Sequence, residues 1–119
     1  MSRPKKITEP IAISFGITIA VPIHDTPLFF KDREAQQNIY KCEEYFITKR
    51  ENADDPVEKK NFDRCRATLQ WASACGASLV HADTSLYHTV DFTFKFDNFD
   101  AMLKFKEEFS TRIDNFMIF

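Results

Sequence analysis

Two histidines on either side of a short polar turn, His81 and His88, are the side chains best spaced to do chemistry in this chain. A two-residue turn at Thr84-Ser85 pairs His81 with His88 and Leu79 with Val90 in an antiparallel hairpin, with both imidazoles on its core side. Imidazoles so placed can share a metal ion or a proton. No obvious third ligand accompanies them, Cys75 being the nearest candidate in sequence. The pair therefore reads as structural, with rings hydrogen-bonded at the rim of the core, and neither a metal nor any other cofactor is expected.

The thiols lead to a similar conclusion. Cys42 and Cys65 can face each other across a helical hairpin, but each falls on an inward-facing stripe, where a small thiol fills space. A nucleophile needs a base and an exposed position. Three cysteines within or next to helical patterns make a poor disulfide framework, which suggests a reducing cytoplasm. The carboxylate pairs Glu43-Glu44, Asp54-Asp55 and Glu107-Glu108 are adjacent in sequence, so on a helix they diverge by about 100° and cannot act on one substrate. Gly16 and Gly76 are isolated, which rules out a glycine-rich phosphate cradle. Catalysis is not expected.

The elements that position these residues follow from periodicity. From Ile11 to Val21 bulky residues occupy the odd positions and Ala12, Ser14, Gly16, Thr18 and Ala20 the even ones, the pattern of a long strand with a bulky and a small face. Pro22 and Pro27 mark an irregular link. Ala35, Ile39, Cys42 and Phe46 predict one helix over Arg33 to Arg50. Asp55-Pro56-Val57-Glu58 is a strong start signal for a second, running to about Cys75 with Phe62, Cys65, Leu69 and Ala72 inward and Gly76 as its terminator. Strands at Ala77 to Ala82 and Leu86 to Phe96 form a hairpin. A third helix follows Asn98, carrying Phe99, Met102, Leu103, Phe105 and Phe109, and Ile113 to Phe119 closes the chain as a strand.

The resulting order, β-α-α-β-β-α-β, predicts an α+β ferredoxin-like split βαβ sandwich: a four-stranded antiparallel sheet with helices on one face. Residues 1–10 read as a flexible basic tail and residues 11–119 as a single domain. Thirteen phenylalanines and two glycines point to an ordered, well-filled interior. The apolar stretch near the N-terminus is too short and too alternating to span a membrane, and no signal-type cleavage site stands out, so no membrane association is expected.

This order is shared with RNA-recognition modules, and Val90 to Ala101 resembles their third strand and the turn into the next helix. Matching Phe96 to that family's terminal buried aromatic puts Phe94, Phe92 and Val90 on the buried side and leaves Thr93 and Asp91 on the open face. The rings that would stack on bases are missing there. Acylphosphatase-like enzymes are similar only in element order, since their phosphate loop and its arginine are not present after the first strand. Sixteen basic and eighteen acidic residues are interspersed, and the net charge of −2 gives no field that would attract a polyanion. On the second helix Lys59, Lys60, Arg64 and Arg66 alternate with Glu58 and Asp63. Nucleic acid is thus not the expected partner.

What remains is the open sheet face. Ser14, Thr18, Tyr87, Thr89, Asp91 and Thr93 are the candidate binding residues, beside small apolar residues of the first strand. The expected function is a small non-catalytic protein-binding module that docks or self-associates as a homodimer through this face. Its compact, glycine-poor composition suits an inhibitory effector of a larger complex, of the kind phages and mobile elements encode. Two alternatives are a small-molecule sensor or enzyme with a polar pocket on the sheet, and a nucleic-acid-binding protein using the second helix and the basic tail.

Overall fold

A computed structural model describes residues 15–23, 33–84, 88–113 and 117–118. They form, in chain order, β1 (Phe15–Pro22), α1 (Arg33–Gln37), α2 (Ile39–Asn52), α3 (Pro56–Ala74), β2 (Ser78–Thr84), β3 (Thr89–Phe96), α4 (Phe99–Arg112) and β4 (Met117–Ile118). The chain is α+β. The expected tail over residues 1–10 and the positions Ser14 and Tyr87 lie outside the described residues.

The ferredoxin-like four-stranded sandwich is not upheld. The regular sheet is three antiparallel strands in the order β1-β3-β2, with four helices among the described residues. β4 adds two residues to the outer edge of β1, Ile118 opposite Ile19 and Met117 opposite Ala20. Two local causes account for the difference. The single helix expected over Arg33 to Arg50 divides at Asn38, whose backbone is extended (φ −126°, ψ 120°) and whose side chain accepts from the Tyr40 and Lys41 N–H groups, starting a new helix. The strand expected from Ile113 does not begin there: Ile113 caps α4, donating its N–H to Phe109 O, and is itself buried, and the described strand residues are Met117 and Ile118.

α3 begins and ends where the sequence signals lie. Asp55 Oδ1 accepts from Val57 N–H at 3.0 Å, with Pro56 in the first turn. At its other end Gly76 has φ +84°, with Gly76 N–H donating to Ser73 O and Ala77 N–H to Ala72 O. This double closure needs a left-handed residue, which glycine supplies without steric cost.

One hydrophobic core joins the sheet to α2, α3 and α4. Phe92, Phe94 and Phe96 of β3 are at most 1% exposed and lie on the same side as Ile17, Ile19 and Val21. Their rings continue into the helices: Phe46 of α2 meets Phe92 edge-on at 5.7 Å, and Phe105 of α4 meets Phe94 at 5.8 Å and Phe109 at 5.2 Å. Phe62, Cys65, Leu69 and Ala72 form the buried stripe of α3, as their spacing predicts. The α4 stripe is narrower than expected, with Phe105 and Phe109 buried but Phe99 half exposed and set edge-on against Phe15.

Candidate functional site

Alternation along β1 and β3 sends every second side chain to the face opposite this core. The register places Gly16 opposite Lys95, Thr18 opposite Thr93, Ala20 opposite Asp91 and Pro22 opposite Thr89. Three of the expected binding residues on β3 therefore share one row. Thr89 Oγ1 donates to Asp91 Oδ1 at 2.7 Å, and the Thr18 and Thr93 hydroxyls lie 3.2 Å apart across the two strands. These short side chains are tied to one another in pairs, which limits their rotamers.

Exposure along this face is graded. Gly16 and Lys95 are exposed, Thr18, Asp91 and Thr93 are half-buried, and Thr89 and Ala20 are buried. The expected strip of exposed small apolar residues is thereby corrected: Ala20 is 1% exposed, and Ala12 and Ser14 lie outside the described residues. The accessible part of the face is polar.

β2 extends this row in a way the sequence did not foreshadow. Leu79 pairs with Phe94, but the register then slips, so that His81 pairs with Thr93, Ala82 with Phe92 and Asp83 with Asp91. The irregularity leaves Val80 exposed and sends His81 to the polar side, while Leu79 and Ala82 stay in the core. His81 does not meet His88, and the expected pair on the core side is overturned. The strands run to Thr84 and resume at Thr89, a longer link than a two-residue turn, and His88 is exposed within it with a left-handed backbone (φ 58°). Among the described residues no group of three or more histidine, cysteine or acidic side chains can hold a metal ion.

His81 and Asp83 are the residues of this face that periodicity missed. His81 Nε2 stands 3.6 Å from Asp83 Oδ2, and Asp83 is directly across the ladder from Asp91. Carboxylates directly opposite one another repel, so this corner of the sheet sets two like charges face to face. Lys95 adds a positive group at the other end of β3.

The thiols are unsuited to nucleophilic work. Burial pushes the Cys42 thiol up to about 12. Cys65 is also raised, first by burial and then by Cys42, with Arg64 acting weakly against it. Cys75 is raised by partial burial. Each thiol is therefore held in its less reactive protonated form.

Comparison with protein families, with characterised proteins and with solved structures finds no match.

Cavities open elsewhere among the described residues. One, of about 290 Å³, is lined by Ala67, Gln70, Trp71, Arg112 and Ile113. The other, of about 400 Å³, lies where α2 begins and α3 ends, beside Asn38, Ser73 and Gly76. Neither is lined by Thr18, Thr89, Asp91 or Thr93. Both arginines of α3 are engaged within the helical layer: Arg66 Nε lies 3.4 Å from Glu43, and Arg64 donates to Asn61 Oδ1 at 2.8 Å. Asp63 of α3 holds Arg50 of α2 at 2.6 Å. Among the described residues no helix is long and apolar enough to cross a membrane.

Proposed function

We propose that this protein is a small binding module that docks a protein partner through the polar face of its sheet. One observation carries the reading: the phenylalanine-rich core packs on the other face, leaving among the described residues an accessible polar row of short side chains, Thr18, Asp91 and Thr93, flanked by His81, Asp83 and Lys95. Rigid, preorganised side chains lose little entropy when they are covered, which favours docking. The opposed Asp83 and Asp91 favour a partner that brings a basic group to that corner. A second copy of this chain is the alternative occupant, and an inhibitory action on a larger assembly is one outcome of such docking.

The test compares tagged wild type with Thr18→Arg and Thr93→Arg as bait in lysate of the native host, with Glu51→Arg on the exposed side of α2 as control. Solution mass is measured by light scattering alongside. A stoichiometric protein, or a dimer mass, that is kept by wild type and the control and lost in both sheet variants supports the reading. A monomer whose retained proteins are identical in all four samples overturns it.

A further inference from the structure

The cavity between α3 and α4 is lined by two side chains, Trp71 and Arg112, whose hydrogen-bond donors the fold leaves underused. Trp71 Nε1 is buried and has no hydrogen-bond partner. Nearly every buried N–H in a folded protein finds an acceptor, so an orphaned indole donor calls for an explanation. Above it the Arg112 guanidinium carbon lies 3.7 Å from the centre of the Trp71 ring. Arg112 is exposed, and its ion pair with Glu108 of the same helix is long at 3.9 Å. Its planar fork of donors is thus stacked on an indole instead of being used on an acceptor. Ala67 and Ile113 supply apolar walls, and Gln70 stands at the same cavity with its amide already donating to Glu43 at 2.8 Å.

We propose that Trp71 and Arg112 form a binding site for a carboxylate carried on a small apolar body. The guanidinium swings off the indole face onto the carboxylate, one of whose oxygens approaches in the ring plane and accepts from Trp71 Nε1–H, while the apolar body rests against Ala67 and Ile113 and the exposed ring face. Arg112 can make this move because, among the described residues, its side chain is held by the ring and by the loose contact with Glu108. The Glu108 carboxylate competes for the same guanidinium, so an occupant must do better than a 3.9 Å contact. A free small acid and an acidic side chain of a peptide share this chemistry. The site is separate from the sheet face and stands whether or not that face docks a partner.

Trp71 is the single tryptophan, so its indole N–H gives one resolved nitrogen–proton resonance that reports directly on the site. The full chain is titrated with benzoate and hexanoate, with a capped tripeptide whose central glutamate is its only acid, and with benzamide as the neutral control. Saturable downfield movement of the indole resonance with either kind of acid, and not with benzamide, supports the proposal; the arm that responds identifies the source. Arg112→Gln should weaken that binding about tenfold or more, as expected for loss of a charge-assisted pair. Arg112→Lys should recover only part of it, because a lysine keeps the charge and loses the fork. Both variants are at an exposed position and are checked for retained dispersion in the same spectra. An indole resonance unmoved by every acid, or moved equally by benzamide or in Arg112→Gln, overturns the proposal.

Discussion

β3 shows two different kinds of surface within eight residues. Val90, Phe92, Phe94 and Phe96 face the helices and are sealed from water, whereas Thr89, Asp91, Thr93 and Lys95 pass from buried to exposed along the opposite side. The first set is held by volume and ring geometry, the second by hydrogen bonds between neighbours that could be exchanged for bonds to water or to a partner. One face should thus govern whether the chain folds and the other what it meets. Substitutions that treat the two faces alike can break this division.

The largest expected effect is on the core side. Phe94→Ala removes a ring that stacks on Phe92 at 6.0 Å and meets Phe105, and should cost about 3–5 kcal/mol in urea unfolding. Thr93→Ala, one residue away on the other face, should cost about 1 kcal/mol, the worth of its hydroxyl contact with Thr18. Equal losses at the two positions would refute the division.

The buried side should also carry the alkaline sensitivity. The Cys42 thiol is held up to about 12 by burial, against about 9 in the unfolded chain, so the folded state keeps a proton that the unfolded state releases. Stability is full below pH 9 and falls as pH rises from 9 towards 12, with a slope approaching about 1.4 kcal/mol per pH unit for this thiol. Cys65 acts in the same direction. Cys42→Ala should flatten the decline of the thermal midpoint above pH 9, after allowance for its own loss of packing at lower pH.

Much of the core side was legible in the sequence because its signals are local and redundant. Bulky residues recur at strand spacing along β1 and β3, and Phe62, Cys65, Leu69 and Ala72 recur at helix spacing along α3. The polar side was legible only in part. Thr18, Asp91 and Thr93 follow from alternation, but His81 and Asp83 reach that face through a register slip after Leu79, and one residue of slip inverts every side chain beyond it. The overall architecture was misread at two points. The break at Asn38 sits inside an unbroken helical stripe, and Ile113 fits a strand pattern as well as a buried helix cap. The orphaned Trp71 N–H depends on what α4 places above it, which no local pattern encodes.

A smaller effect is expected where the two faces share a support. Asp55 caps α3, whose inner stripe is core and whose outer side carries the ion pairs to α2. Asp55→Ala should cost about 1 kcal/mol, measured by urea unfolding. Helix start signals are local, so this loss should not depend on which residue occupies either sheet face. A double variant with Thr93→Ala should be additive within about 0.5 kcal/mol.

The smallest effect separates a face shaped for folding from one shaped for contact. Asp83 and Asp91 are directly paired across the ladder, an arrangement worth less to stability than a neutral pair by a few tenths of a kcal/mol to about 1 kcal/mol. Asp83→Asn removes that repulsion while keeping the side-chain shape. It also removes the partner of His81, but both groups are about half exposed, and an exposed pair of this kind contributes about 1 kcal/mol at most. Added salt screens the repulsion, so the gain should shrink between low and high ionic strength. A small, salt-sensitive increase in stability would mean that the chain keeps this pair at a cost to its own fold, as a surface complementary to a basic partner would require. A loss of stability with no salt dependence would mean that Asp83 serves the hairpin itself, and the acidic corner would then say nothing about a partner.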